Sequence, residues 1–579
     1  MTHNRAIAER FAQMADMLEI KGESIFRINA YRRAARAVEG LTEDVAALAA
    51  RGELTNIPGI GKATAEKIVE FLRTGTMKAY DELAATLPPG LTTLMAVPEV
   101  GPKTALLLYE QLGITSLDAL EAAAKAGRLR DLPRMGPKTE ENILRGIAMV
   151  RRSAARRPLG VALPVAEALV ATLRETREVD AIEVAGSLRR RKETVGDIDI
   201  LVTSRSPERV MEAFVAAPPV AQVLSHGPTR SSVILDVGLQ ADVRVVEPAS
   251  YGAALQYFTG SKEHNVALRE RAVRRGLKLN EYGVWRTKDD RRIAGRDEAG
   301  VYNAVGLPWI PPELREDAGE LEAAEAGRLP TLVTVEEIRG DLHVHTTWSD
   351  GASSAEAMAT AAKALGYAYL CITDHSQSLK VAGGVSVEDL RAHAAVVRRL
   401  SDRLGIEVLM GTECDIGPDG ALDYPDEVLD DLDVVIASVH TRFRMSRDEM
   451  TRRIVRALET GRVDILGHPT GRLLGARDPY EVDIERIVDA AARSGVALEI
   501  NASPERLDLK DTDARLARER GVRLAVNTDA HAAAELRHMP LGISVARRAW
   551  AEAADVLNTL SPTALRAHLR GRRGARRRR

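Results

Sequence analysis

Apolar residues recur at helical spacing along positions 1–150, and glycine and proline interrupt them at short intervals. This pattern predicts a series of short helices. From about residue 161 to 309, helical stretches alternate with β-rich runs, which indicates an α+β region. The β-rich runs lie at 182–185, 199–202, 232–235 and 241–246.

A different pattern begins at residue 339. A short apolar run typical of a buried strand ends in His or Asp, and an amphipathic stretch typical of a helix follows it. Four such runs end at His375, His440, His468 and His531. Repeated βα units with polar residues at the strand ends predict a parallel barrel, with an active site at the C-terminal ends of its strands.

Composition excludes some classes of protein and leaves others open. The chain has 579 residues and a formal net charge of −2; it is too long for one core, and bulk charge does not indicate a nucleic-acid partner. Its two cysteines, Cys371 and Cys414, form no Cys-x-x-Cys pair, which argues against a disulfide framework or a thiolate zinc site. The sequence predicts no signal peptide and no membrane-spanning stretch, so we expect a cytoplasmic protein without a membrane partner.

Three similar turns interrupt the helical region, at 57–62, 97–104 and 132–139. Backbone N–H groups at a helix start bind phosphate, and glycine lets a DNA backbone approach closely. The pattern resembles the helix-hairpin-helix motif, which holds DNA without reading its sequence, although one such turn alone is commonly an ordinary connection. Glu99 and Arg134 replace the first glycine in the second and third copies, so we expect the first copy to contact DNA most closely. The predicted DNA-binding residues are Gly59, Gly61, Lys62, Gly101, Lys103, Thr104, Gly136 and Lys138.

Three aspartates in the α+β region are candidate metal ligands. Asp197 and Asp199 are two positions apart in a β-rich run, so both carboxylates project from one face of the strand. Asp242 adds a third carboxylate from a neighbouring strand. Three carboxylates around two Mg²⁺ ions meet the requirement for in-line phosphoryl transfer. The upstream run Gly-Ser-Leu-Arg-Arg at 186–190 is placed to begin a helix that faces a triphosphate.

Together these segments resemble the family X DNA polymerases related to polymerase beta, over residues 1 to about 310. The resemblance rests on 186–190, 196–199, Asp242, 257–261, Asn265, Arg269 and 280–282. It implies that Asp197, Asp199 and Asp242 are catalytic and carry Mg²⁺ or Mn²⁺. The implied nucleotide-binding residues are Gly186, Ser187, Arg190, Tyr257, Phe258, Gly260, Ser261, Lys262, Asn265 and Arg269.

The resemblance also implies separate roles within that set. Ser187 and Arg190 would hold the triphosphate, and the segment 257–260 would pack beside the sugar and disfavour a 2′-hydroxyl. Asn265 and Arg269 would face the base pair and the template.

The sequence departs from the family pattern at several positions. Lys262 stands where an acidic residue is common and adds positive charge near the nucleotide, and Val266 stands where a lysine is common. The resemblance further places Lys67 where some relatives keep a Schiff-base lysine for deoxyribose-phosphate removal. A lysine on a DNA-binding helix is more often a phosphate contact, so both roles stay open.

Nine residues of metal-ligand type recur in the last part of the chain at spacings that fit one cluster, and they include six of its twelve histidines. They are His343, His345, Asp350, His375, Glu413, His440, His468, Asp529 and His531. Imidazole and carboxylate together suit Zn²⁺, Mn²⁺ or Fe²⁺, and several adjacent sites imply hydrolysis with more than one ion. The set resembles the PHP domain, over about 338–560. That resemblance implies up to three ions and Mn²⁺-dependent 3′-to-5′ exonuclease, abasic endonuclease and 3′-end phosphatase activity.

The predicted fold is therefore multidomain: an all-α helix-hairpin-helix region, an α+β nucleotidyltransferase palm and an α/β barrel of the distorted TIM type. The last ten residues contain seven arginines, which predicts a disordered basic tail with weak affinity for nucleic acid. The predicted boundaries are 1–85 (N-terminal helical domain), 86–150 (further hairpins), 151–250 (palm), 251–310 (nucleotide selection), 311–337 (linker), 338–565 (PHP barrel) and 566–579 (basic tail).

These features predict a monomeric repair polymerase that fills gaps and also processes 3′ ends. The expected partners are gapped DNA, primer-template DNA, 3′ ends and dNTPs. One alternative is chiefly a metal-dependent nuclease with weak or absent polymerase activity. Another is a DNA-binding scaffold whose metals only stabilise the fold. A small-molecule phosphatase would fit the barrel alone but would leave the first half of the chain unexplained.

Overall fold

The computed structural model describes most of the chain: residues 3–39, 45–57, 59–74, 76–84, 86, 91–94, 97, 100–133, 135–153, 156–176 and 178–576. The chain divides into two compact units, Met1–Ala155 and Arg156–Arg579. Within the described ranges, every helix is too short or too polar to cross a lipid bilayer.

Every regular element described in the first unit is helical, which confirms the prediction of short helices. One core surrounds Phe11 and Ile68, and a second surrounds Leu108 and Ile143. The helices are α1 (His3–Ile20), α2 (Ile25–Glu39), α3 (Val45–Ala50), α4 (Lys62–Thr74), α5 (Lys78–Ala84), α6 (Leu91–Leu94), α7 (Pro102–Leu112), α8 (Leu117–Lys125) and α9 (Pro137–Ser153).

The second unit begins with the palm, whose five-stranded sheet has the order β2-β4-β7-β6-β5. The pair β4 and β7 is parallel and the other pairs are antiparallel. All four predicted β-rich runs lie on these strands. The elements are β1 (Arg157–Pro158), α10 (Leu159–Arg174), β2 (Val179–Val184), α11 (Gly186–Arg189), β3 (Thr194–Val195), β4 (Asp197–Ser204), α12 (Pro207–Val215), β5 (Val220–His226), β6 (Arg230–Leu235) and β7 (Gln240–Val245).

A smaller helical region with a three-stranded antiparallel sheet follows the palm. The segment 311–337, which we expected to be a linker, packs into the core of this region through Leu314 and Leu321, and Arg315 within it is fully buried. The elements are α13 (Tyr251–Thr259), α14 (Lys262–Arg274), β8 (Leu277–Asn280), β9 (Gly283–Arg286), β10 (Arg291–Ala294), α15 (Glu298–Ala304) and α16 (Glu320–Glu325).

Seven parallel strands in sequential order form the barrel, which confirms the predicted architecture. A bridge from Val344 to Ala530 brings the last strand beside the first and nearly closes the sheet. The strands are β11 (Gly340–Val344), β12 (Tyr369–Ile372), β13 (Glu407–Asp415), β14 (Val434–Ser438), β15 (Ile465–Leu466), β16 (Ala497–Asn501) and β17 (Leu524–Asn527).

Helices surround this barrel in βα alternation. They are α17 (Ala355–Ala364), α18 (Val387–Leu404), α19 (Asp426–Asp430), α20 (Arg447–Glu459), α21 (Ile484–Ser494), α22 (Asp511–Glu519), α23 (Met539–Arg548) and α24 (Pro562–Arg576). Because α24 extends to Arg576, most of the segment expected to be a disordered tail is helical. The last three residues lie outside the described ranges.

Palm and barrel share one continuous core, which contains residues of α10 and of α20 to α23. Their contact is close: a Cβ added at Gly160 would lie 2.4 Å from the Cβ of Pro504, so only glycine fits there. An ion pair of 2.7 Å also joins Glu193 of the palm to Arg472 of the barrel. The palm and the barrel are therefore held in a fixed relation.

Candidate functional site

The barrel brings the nine predicted metal-ligand residues to the C-terminal ends of its strands. His343 lies on β11, Glu413 lies on β13, and the others follow β11, β12, β14, β15 or β17. The cluster contains three candidate groups, and within each group all the ligand atoms lie within 4.8 Å of one another. The groups are His345, Asp350, His375 and His531; His343, His345 and Asp529; and His375, Glu413 and His440.

Glu413 lies at the centre of this cluster. Its Oε2 atom is 2.9 Å from His375 Nδ1, and its Oε1 atom is 2.8 Å from His468 Nε2 and 3.2 Å from His440 Nε2. His468 belongs to none of the three groups and joins the cluster through this contact. One buried carboxylate in contact with three imidazoles would supply negative charge to a cation held by Glu413, His375 and His440.

Charges in the cluster set the protonation of its members. Burial would raise the pKa of Glu413, but His440 and His375 outweigh it and hold that pKa well below its usual range. Burial and then the neighbouring His375 lower the pKa of His345 to about 3. Against the effect of burial, Glu413 raises the pKa of His375 to about 10 and that of His440 to about 9. Metal binding would therefore release protons from these two rings.

The donor set fits divalent transition metals. Both ring nitrogens of His345, Nε2 of His343 and Oε2 of Glu413 are buried. His345 Nε2 and Glu413 Oε2 lie near opposite charges, but no described residue forms a well-oriented hydrogen bond with any of the four atoms. Such atoms are costly in a core unless an ion satisfies them. Nitrogen and carboxylate oxygen together match the preferences of Mn²⁺, Fe²⁺ and Zn²⁺.

A surrounding layer of acids and amides orients these ligands. Glu499, the central residue of β16, accepts a hydrogen bond of 2.8 Å from His343 Nδ1, and Asp415 accepts one from His440 Nδ1. Asn501 donates to Asp529 Oδ2 at 3.0 Å. Sequence analysis did not identify these residues. The sequence did offer one indication of Glu499: it is a charged residue within the otherwise apolar strand Ala-Leu-Glu-Ile-Asn at 497–501.

In the palm, the sheet register places Asp199 of β4 directly opposite Asp242 of the neighbouring strand β7. Asp242 is buried and accepts hydrogen bonds from Ser232 Oγ and, at 2.7 Å, from Gln240 Nε2. Among the described residues, the three palm aspartates do not form a group within 4.8 Å, unlike the barrel ligands.

Burial and the mutual repulsion of the three carboxylates raise the pKa of two of the aspartates. Burial and then Asp197 and Asp242 raise the pKa of Asp199 to about 7. The pKa of Asp197 is raised by burial and then by Asp242. Excess negative charge of this kind is what a pair of divalent cations would neutralise, so the three residues fit a metal site.

The predicted triphosphate residues lie beside these aspartates. Gly186 has φ +62° and begins α11, and a Cβ at this position would lie 2.8 Å from Asp199 Oδ2. Ser187 Oγ is buried without a hydrogen-bond partner, and Ser187 and Arg190 line a cavity of about 380 Å³. Arg189 faces away and forms a bidentate pair with Glu298 at 2.8 Å, so it belongs to the core and not to the cavity.

The residues predicted to contact the sugar and base form a connected cluster on α13 and α14. The rings of Tyr257 and Phe258 pack edge to face, with centroids 5.1 Å apart. Asn265 is buried, donates to the Tyr257 carbonyl at 2.6 Å and accepts from Gln256 at 2.7 Å. Ser261 caps α14 by accepting from the amide of His264.

Three further residues of the predicted nucleotide site have different environments. Lys262 and Arg269 are exposed, and Arg269 Nε donates to the Asn265 carbonyl at 3.2 Å. Gly260 has φ +66°, and a Cβ there would lie 3.2 Å from Arg190 Nη1. A side chain at Gly260 would therefore crowd the arginine predicted to hold the triphosphate.

The second glycine of each predicted hairpin directly precedes a helix. These glycines are Gly61, Gly101 and Gly136, and a Cβ added to any of them would meet none of the described residues within 4 Å. Their surroundings are therefore open to an approaching backbone. Gly59 has φ +95°, a conformation that favours glycine. The substitutions Glu99 and Arg134, on which we ranked the copies, lie outside the described residues.

Side chains near the hairpins have varied surroundings. Lys62 is exposed at the start of α4, Thr104 on α7 is half-buried, and Lys138 on α9 is exposed. Lys67 Nζ donates to the Ala63 carbonyl at 3.0 Å and lies 5.9 Å from the centroid of the Tyr31 ring. The side chain of Lys103 is not among those described.

Four family models match separate parts of this chain. A helix-hairpin-helix domain matches residues 2–77, and a SAM-like helix-hairpin-helix tandem matches 91–148. The DNA polymerase beta thumb matches 254–316, and the PHP domain matches 341–503. The last two matches contain the predicted sugar and base contacts and seven of the nine barrel ligands, respectively.

Some relatives match nearly the whole chain, and others match only a part of it. DNA polymerase lambda of Rattus norvegicus is 26% identical over 54% of this chain and 56% of its own length. A probable phosphatase of Caldanaerobacter subterraneus is 34% identical over 33% of this chain and 75% of its own length. The DNA polymerase/3′-5′ exonuclease PolX of Bacillus subtilis is 38% identical over 96% of this chain and 98% of its own length. The chain therefore belongs to the PolX group of family X DNA polymerases, which join a polymerase beta-like core to a PHP domain.

Proposed function

We propose that this protein is a monomeric repair polymerase that fills short gaps in DNA and processes blocked or mismatched 3′ ends in its PHP barrel. The observation that carries the proposal is the presence of two separate sets of metal-ligand residues in one chain. One set lies next to Gly186, at the start of the helix that carries Ser187, and the other lines the mouth of a barrel. The name of the Bacillus subtilis relative, a DNA polymerase/3′-5′ exonuclease, supports the same division.

In the palm, Asp197, Asp199 and Asp242 would hold two Mg²⁺ or Mn²⁺ ions. The ions, when bound, supply a lower pKa for the primer 3′-hydroxyl and neutralise charge on the departing pyrophosphate. Ser187 and Arg190 donate hydrogen bonds to the triphosphate, for which the unpartnered Ser187 Oγ is available. These residues orient the nucleotide and exclude water from the reacting phosphorus.

Selection of the nucleotide falls to α13 and α14. The Tyr257 and Phe258 rings lie against the sugar, and Gly260 brings a backbone segment close enough to exclude a 2′-hydroxyl. Asn265 and Arg269 lie on the side of the base pair and template. Ser261 supports this surface by capping α14, and Lys262 adds positive charge near the triphosphate.

In the barrel, the nine ligand residues would hold up to three ions, with Mn²⁺ preferred over Zn²⁺ or Fe²⁺. The ions, when bound, supply a nucleophilic water at neutral pH and stabilise charge on a phosphodiester. Glu413 and Asp529 remain anionic in the cluster, which the lowered pKa of each supports. The likeness to a probable phosphatase supports phosphate esters as the substrate class.

The helical domains at 1–85 and 86–150 hold the DNA through the hairpin backbones, and the segments 151–250 and 251–310 form the polymerase. Lys67 acts as a phosphate contact of the first hairpin domain. A lyase role for Lys67 would appear as a DNA-linked adduct after borohydride treatment of an abasic-site substrate, and we expect none.

Incubation of a one-nucleotide gap with a 3′-phosphate on the primer tests the proposed function. With Mn²⁺ alone, we expect the phosphate and then nucleotides to be removed from the 3′ end. With Mn²⁺ and dNTPs, we expect phosphate removal followed by addition of one nucleotide. Processing without addition would favour a nuclease with a degenerate palm, and a rise in thermal stability without any cleavage would favour a structural role for the metals.

Substitution of the hairpin glycines should weaken DNA binding in a graded way. Because a Cβ at Gly61, Gly101 or Gly136 meets no described residue within 4 Å, valine at each position should fold normally and obstruct only an approaching phosphate. We expect Gly61→Val to weaken binding of gapped DNA about tenfold, roughly 1.4 kcal/mol, and the other two to weaken it less. Fluorescence anisotropy at fixed salt measures the effect, and equal losses in all three variants would contradict the ranking of the hairpins.

Loss of charge at Glu499 should weaken metal binding in the barrel. The variant Glu499→Gln keeps an oxygen that accepts from His343 but removes the negative charge that makes the ring a stronger ligand. We expect Mn²⁺ affinity to fall by about 10–100-fold. Competition with a metal-binding dye measures this affinity. Glu407→Gln is the control because Glu407 lies at the start of β13, at the end of the barrel away from the metal-ligand residues. An unchanged affinity in Glu499→Gln would show that the residue does not tune the site.

A further inference from the structure

The cavity beside the predicted triphosphate residues has walls from two domains. Ser187, Arg190 and Lys192 of the palm line one side, and Asp511, the first residue of α22 in the barrel, lines another. The cavity measures about 380 Å³, and one of its lining residues is Ser187, whose buried Oγ has no hydrogen-bond partner among the described residues. A binding site in the palm is thus completed by the barrel.

Arg190 is fixed on two sides within this wall. Its Nη1 atom donates to the Thr259 carbonyl at 2.6 Å, and its Nε atom donates to Glu316 Oε1 at 3.0 Å. Glu316 belongs to the packed segment that connects the palm region to the barrel. The two contacts hold the guanidinium in one orientation, and the Glu316 carboxylate also neutralises part of its charge.

Arg548, at the end of α23 in the barrel, shares that carboxylate. Its Nη1 atom lies 3.0 Å from Glu316 Oε1 and donates to the Arg190 carbonyl at 2.8 Å. Its Nε and Nη2 atoms lie 2.7 and 2.6 Å from Asp511 Oδ2. The side chain of Arg548 is only 5% exposed. The four residues form a row of alternating charge: Arg190, Glu316, Arg548, Asp511.

Both acids in this row are ionised. Burial would raise the pKa of Glu316 and of Asp511, but Arg548 outweighs it and lowers both. Without the charge of Arg548, Glu316 would pair with Arg190 alone and would neutralise it more fully. Asp511 would also face the cavity without its principal counter-ion. Both changes make the cavity less favourable for an anion.

We propose that Arg548 of the PHP barrel is a positioning residue for the triphosphate of the nucleotide that binds in the palm. It shares the Glu316 carboxylate with Arg190 and so reduces the neutralisation of Arg190, compensates Asp511, and holds the Arg190 backbone. The barrel thereby sets the nucleotide affinity of the polymerase, in addition to its own hydrolytic role. This inference rests on the proposed polymerase function.

Nucleotide binding by the full chain tests the proposal without requiring catalysis. The probe is a one-nucleotide gap with a dideoxy-terminated primer and the complementary dNTP in Mg²⁺, and the dissociation constant of the dNTP is measured. We expect Arg548→Met to raise this constant about tenfold. We expect Arg548→Lys to restore most of the affinity, and Glu316→Gln to lower the constant because it removes the competing charge.

Arg547→Met is the matched control. Arg547 is the neighbouring residue of α23 and also pairs with a glutamate of the connecting segment, Glu313, at 2.7 Å, but its partner does not contact Arg190. We expect no change in nucleotide affinity. Equal losses in Arg547→Met and Arg548→Met would overturn the proposal, because they would reflect only the docking of the barrel.

Two further outcomes are separable. If the wild-type complex binds no dNTP, the proposed polymerase function itself fails. If it binds dNTP and Arg548→Met binds equally well, only this inference fails. Thermal unfolding establishes that each variant is folded; should Arg548→Met not fold, the opposite effect expected of Glu316→Gln still decides. With extendable primers, a higher KM for dNTP at an unchanged kcat supports the positioning role, and a fall in kcat alone contradicts it.

Discussion

The variant Glu413→Gln is expected to lose 3′-end hydrolysis by at least about 100-fold while it keeps its rate of nucleotide addition. Glu413 is the carboxylate that contacts His375, His440 and His468 within 3.2 Å. An amide of the same size lacks the negative charge of the carboxylate, so the candidate ion position formed by His375, Glu413 and His440 would weaken. The palm lies elsewhere in the structure and retains all its carboxylates.

Two measurements on one preparation check this expectation. Release of nucleotides from a 3′ end in Mn²⁺ reports the barrel, and extension of a gapped primer in Mg²⁺ reports the palm. Glu407→Gln is the control because Glu407 lies on the same strand but pairs with Arg566 at the far end of the barrel. Hydrolysis that survives in Glu413→Gln at the wild-type rate would mean that the cluster is structural.

Metal binding provides a second readout of the same change. An ion that binds only the folded protein raises stability by about 2.7 kcal/mol at 100 times its dissociation constant. Mn²⁺ should therefore raise the melting temperature of the wild type, and it should do so less for Glu413→Gln. Equal shifts of the melting temperature in both proteins would show that Glu413 does not contribute to metal binding.

Much of the barrel site was accessible from the sequence because its ligands mark the ends of apolar strands. Parallel strands meet at one edge, so residues as distant as His343 and Asp529 had to converge once the barrel was inferred. The prediction depended on strand periodicity and on the chemistry of the residue types. It did not require knowledge of any contact.

The supporting layer was not accessible in the same way. Glu499 is one acidic residue in an apolar strand, and the sequence does not indicate that His343 is its partner. Arg189 and Arg190 are adjacent and chemically identical, yet one pairs with Glu298 in the core and the other lines the cavity. Such differences arise from side-chain direction and from long-range packing, which local patterns do not encode.

The segment 311–337, which connects the palm region to the barrel, is a second case in which local sequence patterns did not predict long-range packing. Its content of Pro, Glu, Ala and Gly predicted a linker, but Arg315 within it is fully buried and Glu316 contacts both domains. Buried charges of this kind become visible only when their partners are located. Helices α7 and α9, by contrast, begin at Pro102 and Pro137, because the fixed φ of proline suits the first helical position and such a residue is visible in the sequence.

The variant Asp199→Asn is expected to lose nucleotide addition by about 1000-fold or more and to keep 3′-end hydrolysis. Asp199 lies opposite Asp242 and next to Gly186, so it is the central carboxylate of the palm set. Asparagine offers one neutral oxygen, which cannot neutralise two cations. Primer extension and Mn²⁺-dependent hydrolysis, measured together, give the reciprocal of the Glu413→Gln result. Asp180→Asn, at an exposed position on β2, is the control.

The same variant should be more stable than the wild type when a chelator removes metals. Burial and the neighbouring aspartates raise the pKa of Asp199 to about 7 in the folded protein, whereas an unfolded aspartate titrates near pH 3.9. Ionised Asp199 therefore destabilises the fold, increasingly from about pH 4 upward and fully above about pH 7. The melting temperature of Asp199→Asn should exceed that of the wild type at pH 8 in EDTA, and the difference should shrink as the pH falls toward 4. A less stable Asp199→Asn at pH 8 would mean that the carboxylate serves the fold, and its loss of polymerase activity would then not locate the metals.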